Sequence, residues 1–156
     1  MSEYIFVHLI DDQPKVNDLG LEIPLHTTLL HWFETDRAPD EILSLARAAL
    51  RGVAPVETIA THNDLFGPDN NVPVMRLKRT PELLNLHLLL LDSMVDSNTT
   101  FDQRWVGANN WNPHVTTKAG QKLYTGERVV VDSVSFIQRK QPDRHRIILG
   151  NVFLED

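Results

Sequence analysis

Two short stretches of the sequence share one pattern, in which a proline precedes a histidine and a threonine follows two residues after that histidine. They are Pro24-Leu25-His26-Thr27-Thr28 and Pro113-His114-Val115-Thr116. Both are typical of short strands entered through a proline. Because the side chains of a strand alternate between its two faces, each histidine shares a face with its threonine. The fold has to accommodate two strands that present the same pair of polar side chains.

Apolar and β-branched runs predict the other strands. Together with the two stretches above, the predicted strands cover residues 4–10, 25–33, 55–61, 72–77, 111–118, 129–138 and 146–154. Turns are predicted at 11–14 and 67–71, and loops at 96–107 and 119–128. On the second strand, strict alternation predicts two faces, one with His26, Thr28, Leu30 and Trp32 and one with Thr27, Leu29, His31 and Phe33.

Two helices are predicted, starting at Pro39 and Pro81, where proline occupies the first turn and acidic residues follow. Thr80 is the expected cap of the second helix. The first helix is expected to end near Gly52 and the second to extend to Met94. This order of elements favours an α+β fold with antiparallel sheet and two helices on the outer faces. No Gly- or Ser-rich linker divides the chain, so we expect residues 1–156 to form a single domain.

The composition excludes several classes of function. The net charge of −6 argues against a long surface that follows nucleic acid, which needs clustered Lys and Arg, but it allows a small anionic ligand. The absence of cysteine excludes disulfides, thiolate nucleophiles and Cys-ligated zinc. The N-terminal residues lack the basic region of a signal peptide, and the apolar run at 83–91 is too short for a bilayer. We therefore expect a cytoplasmic protein without membrane contact.

The two His-x-Thr pairs have the chemistry that cleavage of a phosphodiester needs. An imidazole titrates near neutral pH, so one histidine can accept a proton from the attacking water or hydroxyl while another donates one to the leaving oxygen. A neighbouring threonine hydroxyl can donate a hydrogen bond to a phosphoryl oxygen as charge builds up. The alternative is structural: each pair is then a half-buried part of a strand whose polar atoms are satisfied by neighbours. Taken singly, each pair favours the structural interpretation.

The two motifs and their order resemble the two-histidine (2H) phosphoesterases, which include the 2′-5′ RNA ligase-like proteins and the cyclic phosphodiesterases. The motifs lie about 90 residues apart. A strand precedes the first motif, and a helix rich in Leu and Ala follows it. The Leu-Phe-Gly at 65–67, the Pro-Glu-Leu-Leu at 81–84 and the second motif at 113–116 also match the pattern of that family.

The resemblance implies a bilobal fold, with two pseudo-symmetric antiparallel sheets lining a central cleft and helices on the outer faces. It implies His26 and His114 as the catalytic acid and base, in an order that the sequence leaves open, and Thr28 and Thr116 as the residues that hold the phosphate. The substrate would be a small nucleotide or an RNA end with a cyclic phosphate or a 2′-linked phosphodiester. We expect a monomer that needs no cofactor.

Two positions depart from the family pattern. Thr27 stands between His26 and Thr28, and Thr117 follows Thr116, where the family usually has apolar residues. Both positions fall on the face opposite the predicted site, so we expect altered packing with the chemistry intact.

Further candidates for contact with the substrate are one lysine and four aromatic residues in or beside loops. They are Lys118, Phe66, Trp105, Trp111 and Tyr124. Aromatic side chains stack on bases, but they also pack at strand ends, and we expect packing for at least two of the four. The other histidines are expected to be structural; they are His8, His31, His62, His87 and His145. No pair of histidines has the spacing of a helical zinc site, so no metal is predicted.

Three functional alternatives remain open at this point. Phage-encoded members of the 2H family degrade cyclic oligonucleotide signals of bacterial defence, and the resemblance fits that role as well as RNA processing. A non-catalytic nucleotide-binding module would keep the cleft without turnover. Ligation is conceivable only as the reverse reaction, because the sequence has no identifiable lysine motif for ATP-dependent nucleotidyl transfer.

Overall fold

Antiparallel strands make up most of the structure, a computed structural model that describes residues 2–10, 18–118 and 120–155. The strands are β1 (Ser2–Leu9), β2 (Asp18–Gly20), β3 (His26–Thr35), β4 (Val56–Phe66), β5 (Val72–Leu77), β6 (Thr99–Phe101), β7 (His114–Thr116), β8 (Arg128–Val131), β9 (Ser133–Lys140) and β10 (His145–Phe153). The helices are α1 (Pro39–Ala49) and α2 (Pro81–Met94), and a 3₁₀ turn spans Gln103–Trp105. The turn predicted at 11–14 lies outside the described residues.

The strands follow one hydrogen-bonded path in the order β2-β10-β9-β1-β3-β7-β5-β4-β8, and β6 pairs with β3. Within this path two antiparallel halves can be distinguished. We call β2, β10, β9, β1 and β3 the first half and β7, β5, β4 and β8 the second half. The halves join where β3 meets β7, through the single Cα pair Thr27–Val115. The predicted α+β class, with antiparallel sheet and two helices, is confirmed.

Both helices begin where the sequence predicts. In α2 the Thr80 side chain accepts a hydrogen bond from the Leu83 N–H, which satisfies one of the unpaired amides of the first turn. The helix α2 packs on β3 and β4, and α1 contacts α2 and β10. Buried Leu29 of β3 and Val115 of β7 belong to the same apolar cluster as the leucines of α2. The helices therefore cover one face of β3 and β7 and leave the other face open.

The strand β1 is buried on both faces. Tyr4 and Phe6 pack in the large cluster under the helices, whereas Ile5 and Val7 pack in a second cluster. In the second cluster they contact Ile137, among others. Burial on both faces explains why this strand is a continuous apolar run rather than an alternating one.

Three local predictions are corrected, and one short strand was not predicted. The strand predicted at 129–138 is two strands, β8 and β9, separated at Asp132. The strand β8 pairs with β4, whereas β9 pairs with β1 and β10, so the chain crosses between the halves within one β-branched run. The loop predicted at 96–107 contains β6 and the 3₁₀ turn. The short strand β2 was also missed, because three residues are too few for a periodic signal.

The third correction concerns the faces of β3. The pairing of β1 with β3 shifts register between Phe6, which is opposite Leu30, and Val7, which is opposite Thr28. Leu29 and Leu30 are both fully buried, so the alternation is interrupted there. As a result His31 lies on the same side as His26 and Thr28, not on the opposite face as strict alternation predicts.

No helix in the described ranges is both long and apolar enough to cross a bilayer.

Candidate active site

The register of β3 and β7 brings the two His-x-Thr motifs side by side. In an antiparallel pair centred on Thr27 and Val115, His26 lies next to Thr116, and Thr28 lies next to His114. Thr27 and Val115 point into the core, where their exposures are 0% and 1%. The histidines and threonines therefore project together from the open face.

These four side chains line one cavity of about 430 Å³ between the two halves. Three of the further predicted contacts, Lys118, Phe66 and Trp105, line the same cavity. The structure does not bring the other two to it. Trp111 is 4% exposed and stacks on His87 in the core, and Tyr124 is 62% exposed beside Lys122. Packing was expected for at least two of the four aromatic residues; Trp111 packs in the core, whereas Tyr124 is exposed.

Both motif histidines are anchored in the same way. The Nδ1 atom of His26 lies 2.8 Å from the carbonyl oxygen of Pro24, and Nδ1 of His114 lies 2.8 Å from that of Asn112. A carbonyl oxygen only accepts, so each Nδ1 carries a proton and donates it. In the neutral ring Nε2 is then the basic nitrogen. In both motifs the accepting carbonyl belongs to the residue two positions before the histidine.

The surroundings lower the pKa of both imidazoles and so favour their neutral forms. Burial lowers the pKa of His26 to about 4; the hydrogen bond to Pro24 opposes this shift, and the charges of Lys118 and His114 add to it. Burial also lowers the pKa of His114, against the hydrogen bond to Asn112, and the nearby Arg76 contributes in the same direction. An anionic ligand in the cavity would favour the protonated forms and so raise both values.

The second half contributes an aromatic wall beside His114. The ring of Phe66 meets the imidazole edge to face, with ring centroids 4.6 Å apart. The Arg76 guanidinium lies 4.9 Å from the Phe66 ring centroid and forms an ion pair of 2.6 Å with Asp64. These contacts fix the position of Phe66 on the side of the cavity formed by β4 and β5.

The first half contributes residues that the sequence analysis did not select. His31 stacks on Trp105 with centroids 5.6 Å apart, and both line the cavity. The Nδ1 atom of His31 is buried without a hydrogen-bond partner among the described residues. Trp32 and Arg146 also line the cavity. The sequence prediction placed Trp32 on the same face as His26 and Thr28, but no signal marked it as part of a site. Arg146 reaches the site only because of the order of the strands.

Two of the other histidines have structural surroundings. In the core, the Nδ1–H of His87 donates to the Leu29 carbonyl at 2.7 Å, and its Nε2 accepts from the Gly107 N–H at 3.0 Å. The Nδ1 atom of His8 lies 2.9 Å from the Ser133 carbonyl oxygen. Within residues 2–10, 18–118 and 120–155, no group of three or more His, Asp or Glu side chains is arranged to hold a metal ion.

Comparison with known proteins gives the family. Residues 15–143 match the sequence profile of the 2′-5′ RNA ligase superfamily, and this range is most of the chain. The chain belongs to the 2′-5′ RNA ligase superfamily. No curated protein shows a significant match to the sequence. The expected membership of the 2H phosphoesterases is thereby confirmed.

Solved structures support the superfamily fold. A crystal structure described as a phosphoesterase is 15% identical, with 99% of each chain covered and a TM-score of 0.62. A protein of Thermus thermophilus is 14% identical, with 97% of each chain covered and a TM-score of 0.62. LigT of E. coli, crystallised with 3′-AMP, is 14% identical, with 99% of each chain covered and a TM-score of 0.60. At these identities the similarity shows the fold alone.

Proposed function

We propose that this member of the 2′-5′ RNA ligase superfamily is a metal-independent phosphoesterase that hydrolyses a cyclic phosphate or a 2′-linked phosphodiester of a small nucleotide or RNA end. One observation carries the proposal: two imidazoles with the same tautomer, each next to a threonine, line a single cavity from adjacent strands. LigT of E. coli, which has a similar fold, has been crystallised with 3′-AMP, which fits a nucleotide ligand.

In the proposed reaction the neutral Nε2 of one histidine removes a proton from a water molecule as the water oxygen bonds to phosphorus. The bond from phosphorus to the 2′- or 3′-oxygen breaks, and the other histidine, in its protonated form, gives its proton to that leaving oxygen. The two histidines thereby exchange protonation states, and one water is consumed. Such transfers contribute typically about 10²- to 10⁴-fold to a rate.

The lowered pKa of His26, about 4, favours this residue as the proton acceptor. His114 then holds the proton for the leaving oxygen, and the bound phosphate anion supports its charged form. Thr28 and Thr116, one beside each imidazole, donate hydroxyl hydrogen bonds to the non-bridging oxygens. Neither step requires a metal ion, because an acid and a base are both supplied by side chains.

The proposal is tested by hydrolysis in the presence of EDTA. The panel contains 2′,3′-cyclic mononucleotides, 2′-5′ and 3′-5′ dinucleotides and cyclic oligonucleotides. His26→Ala and His114→Ala should each reduce kcat by about 10²- to 10⁴-fold on any substrate that is turned over. The matched control is His62→Ala, which removes an exposed imidazole of β4 outside the cavity.

Two outcomes would refute the mechanism. One is full activity of His26→Ala on a substrate that the wild-type protein cleaves. The other is turnover that disappears in EDTA and returns only with added metal. Tight binding of a nucleotide that is recovered unchanged would instead favour a non-catalytic binding module.

A further inference from the structure

Arg146 is the one arginine on the wall of the cavity that contains the His-x-Thr pairs, among the described residues. It lies on β10, in the first half, and its guanidinium carbon is 5.9 Å from the ring centroid of Trp32. Trp32 lines the same cavity. The strands β9 and β1 lie between β10 and β3, so the backbones of β10 and β3 are about 14 Å apart. Arg146 is therefore positioned beside the reaction centre and not on it.

Arg139, its neighbour on β9, has a different environment. The Arg139 guanidinium packs on Trp32, 4.2 Å from the ring centroid, and forms an ion pair of 2.5 Å with Glu3. Only 12% of the Arg139 side chain is exposed. Glu3 thus compensates the charge of Arg139, and the ion pair and the indole of Trp32 together fix the position of its guanidinium.

Within the described residues, the Arg146 guanidinium has no such ion pair. Within the part of the chain that the structure describes, its guanidinium makes one hydrogen bond, from Nη1 to the Arg144 carbonyl at 2.8 Å. No carboxylate of the described residues lies within ion-pair distance, although Glu22 lines the same cavity. Among the described residues, most of the five N–H donors of this guanidinium therefore have no acceptor.

The electrostatic surroundings make an anionic ligand favourable at this point. Burial lowers the pKa of Arg146, and the positive charges of Arg139 and Arg144 lower it further, against the opposite effect of Glu22 and Glu3. A partly desolvated guanidinium near two like charges gains most from an anion that it can bind through two parallel hydrogen bonds.

We propose that Arg146, supported by Trp32, binds a second phosphate of the substrate, separate from the phosphate that the His-x-Thr pairs cleave. The inference rests on the proposed function, because the first phosphate is the one placed between His26 and His114. The preferred substrates are then nucleotides or short oligonucleotides that carry at least two phosphate groups, not mononucleosides with a single cyclic phosphate.

The test is equilibrium binding by calorimetry, which does not depend on turnover. The probes are adenosine 3′,5′-bisphosphate, adenosine 2′,5′-bisphosphate, 3′-AMP and 5′-AMP. We expect at least one bisphosphate to bind the wild-type protein about 10-fold or more tighter than either monophosphate, as a charge-assisted hydrogen bond to phosphate predicts. In Arg146→Gln this excess affinity should fall to about twofold or less.

Arg144→Gln is the matched control. It removes the same charge from an exposed side chain two residues away and leaves the Arg144 carbonyl that accepts from Arg146 in place. The excess affinity should persist in this variant. Equal loss in both variants would indicate a diffuse charge effect and would overturn the proposal. An excess that survives Arg146→Gln, or a wild-type protein that binds mono- and bisphosphates equally, would overturn it as well.

The same measurements separate this proposal from the proposed function. If the excess affinity depends on Arg146 but no nucleotide is hydrolysed, the hydrolytic mechanism fails and the second phosphate site stands. If mononucleoside cyclic phosphates are cleaved by His26 and His114 but bisphosphates show no excess affinity, the mechanism stands and the second site fails.

Discussion

The cavity and the region under α2 use histidine in opposite ways. In both regions the Nδ1 atom of a buried imidazole is bonded to a backbone carbonyl, at 2.7 Å for His87 and at 2.8 Å for His26 and His114. In both regions an aromatic ring packs on a histidine, Trp111 on His87 and Phe66 on His114. The difference lies in the remaining nitrogen. The Nε2 atom of His87 accepts a hydrogen bond from the Gly107 N–H. His26 and His114, in contrast, line the cavity with their remaining nitrogen, Nε2.

The hydrogen bonding of Nε2 therefore distinguishes the structural histidine from the two candidate catalytic histidines. A lowered pKa does not separate them, because burial lowers the pKa of His87 as well. A histidine with both nitrogens bonded inside the protein can accept a proton only by breaking a hydrogen bond. A histidine with Nε2 facing a cavity can exchange protons with a ligand.

After the two histidine variants, the largest expected effect comes from the threonines of the cavity. Thr28→Val and Thr116→Val remove a hydroxyl donor without changing the size of the side chain much, and each should reduce kcat by about 10²- to 10³-fold. The free energy of unfolding should change little, because both hydroxyls face the cavity and not the core. Steady-state kinetics on the best substrate, paired with urea denaturation, would check both parts. A variant that is destabilised but fully active would contradict the assignment.

The opposite result is expected for His87. His87→Leu leaves the Gly107 N–H and the Leu29 carbonyl without their partner inside the core, which should lower the free energy of unfolding by about 2–4 kcal/mol. The activity per folded molecule should remain close to that of the wild type. Chemical denaturation and active-site-normalised kinetics test the two parts separately. If kcat falls as strongly as in Thr28→Val, the division between the two regions is wrong.

Activity and stability should depend on pH in different ways. Burial lowers the pKa of His26 to about 4 and that of His114 to below its usual 6.5, so kcat/KM of a diester substrate should peak between these limits. Below about pH 4 the proton acceptor is lost, and above the pKa of His114 the proton donor is lost, each with a tenfold decrease per pH unit. A profile that is flat from pH 4 to 9 would refute acid–base catalysis by this pair.

The pH dependence of the free energy of unfolding follows in part from the lowered pKa of His87 in the folded state. Below the pKa of an unfolded histidine, about 6.5, the unfolded chain binds more protons than the folded one, so stability is lost as the pH falls. Part of this loss should disappear in His87→Leu. Unfolding curves recorded from pH 8 to pH 5 for both proteins would measure that part.

The smallest expected effect is at Thr27, between the two residues of the first motif. Its hydroxyl is buried and has no hydrogen-bond partner among the described residues. Thr27→Val should therefore raise the free energy of unfolding, by about 1 kcal/mol at most, and leave kcat unchanged. The contrast with Thr28→Val, one residue away on the other face, is the sharpest test of the strand orientation. Loss of activity in Thr27→Val would show that the face assignment is wrong.

Local signals predicted the parts of the fold that depend on neighbouring residues. Pro39 and Pro81 open their helices, and Thr80 caps the second, because capping is decided within one turn. The His-x-Thr pairs were recognisable because side-chain alternation holds over three residues. The departure at Thr27 was also interpreted correctly as a matter of packing, since this side chain points into the core.

The rest depended on contacts between distant residues. The interruption at Leu29 and Leu30, which turns His31 towards the cavity, reflects the pairing of β3 with β1 and leaves no trace in the local pattern. The break at Asp132, where the pairing partner changes, lies inside a β-branched run and contains neither Gly nor Pro. Arg146 reaches the cavity only because β10 is placed beyond β9 and β1, and strand order is not encoded in periodicity.

The pairing of β1 with β9 has a consequence for synthesis of the protein. Glu3 pairs with Arg139, so one edge of β1 stays without its partner until the chain as far as β9 has left the ribosome. At usual rates of translation this interval is on the order of ten seconds. During that time an apolar strand edge that includes Ile5 and Val7 can pair with other chains. Slow release of β9 and β10 should therefore lower the yield of folded protein.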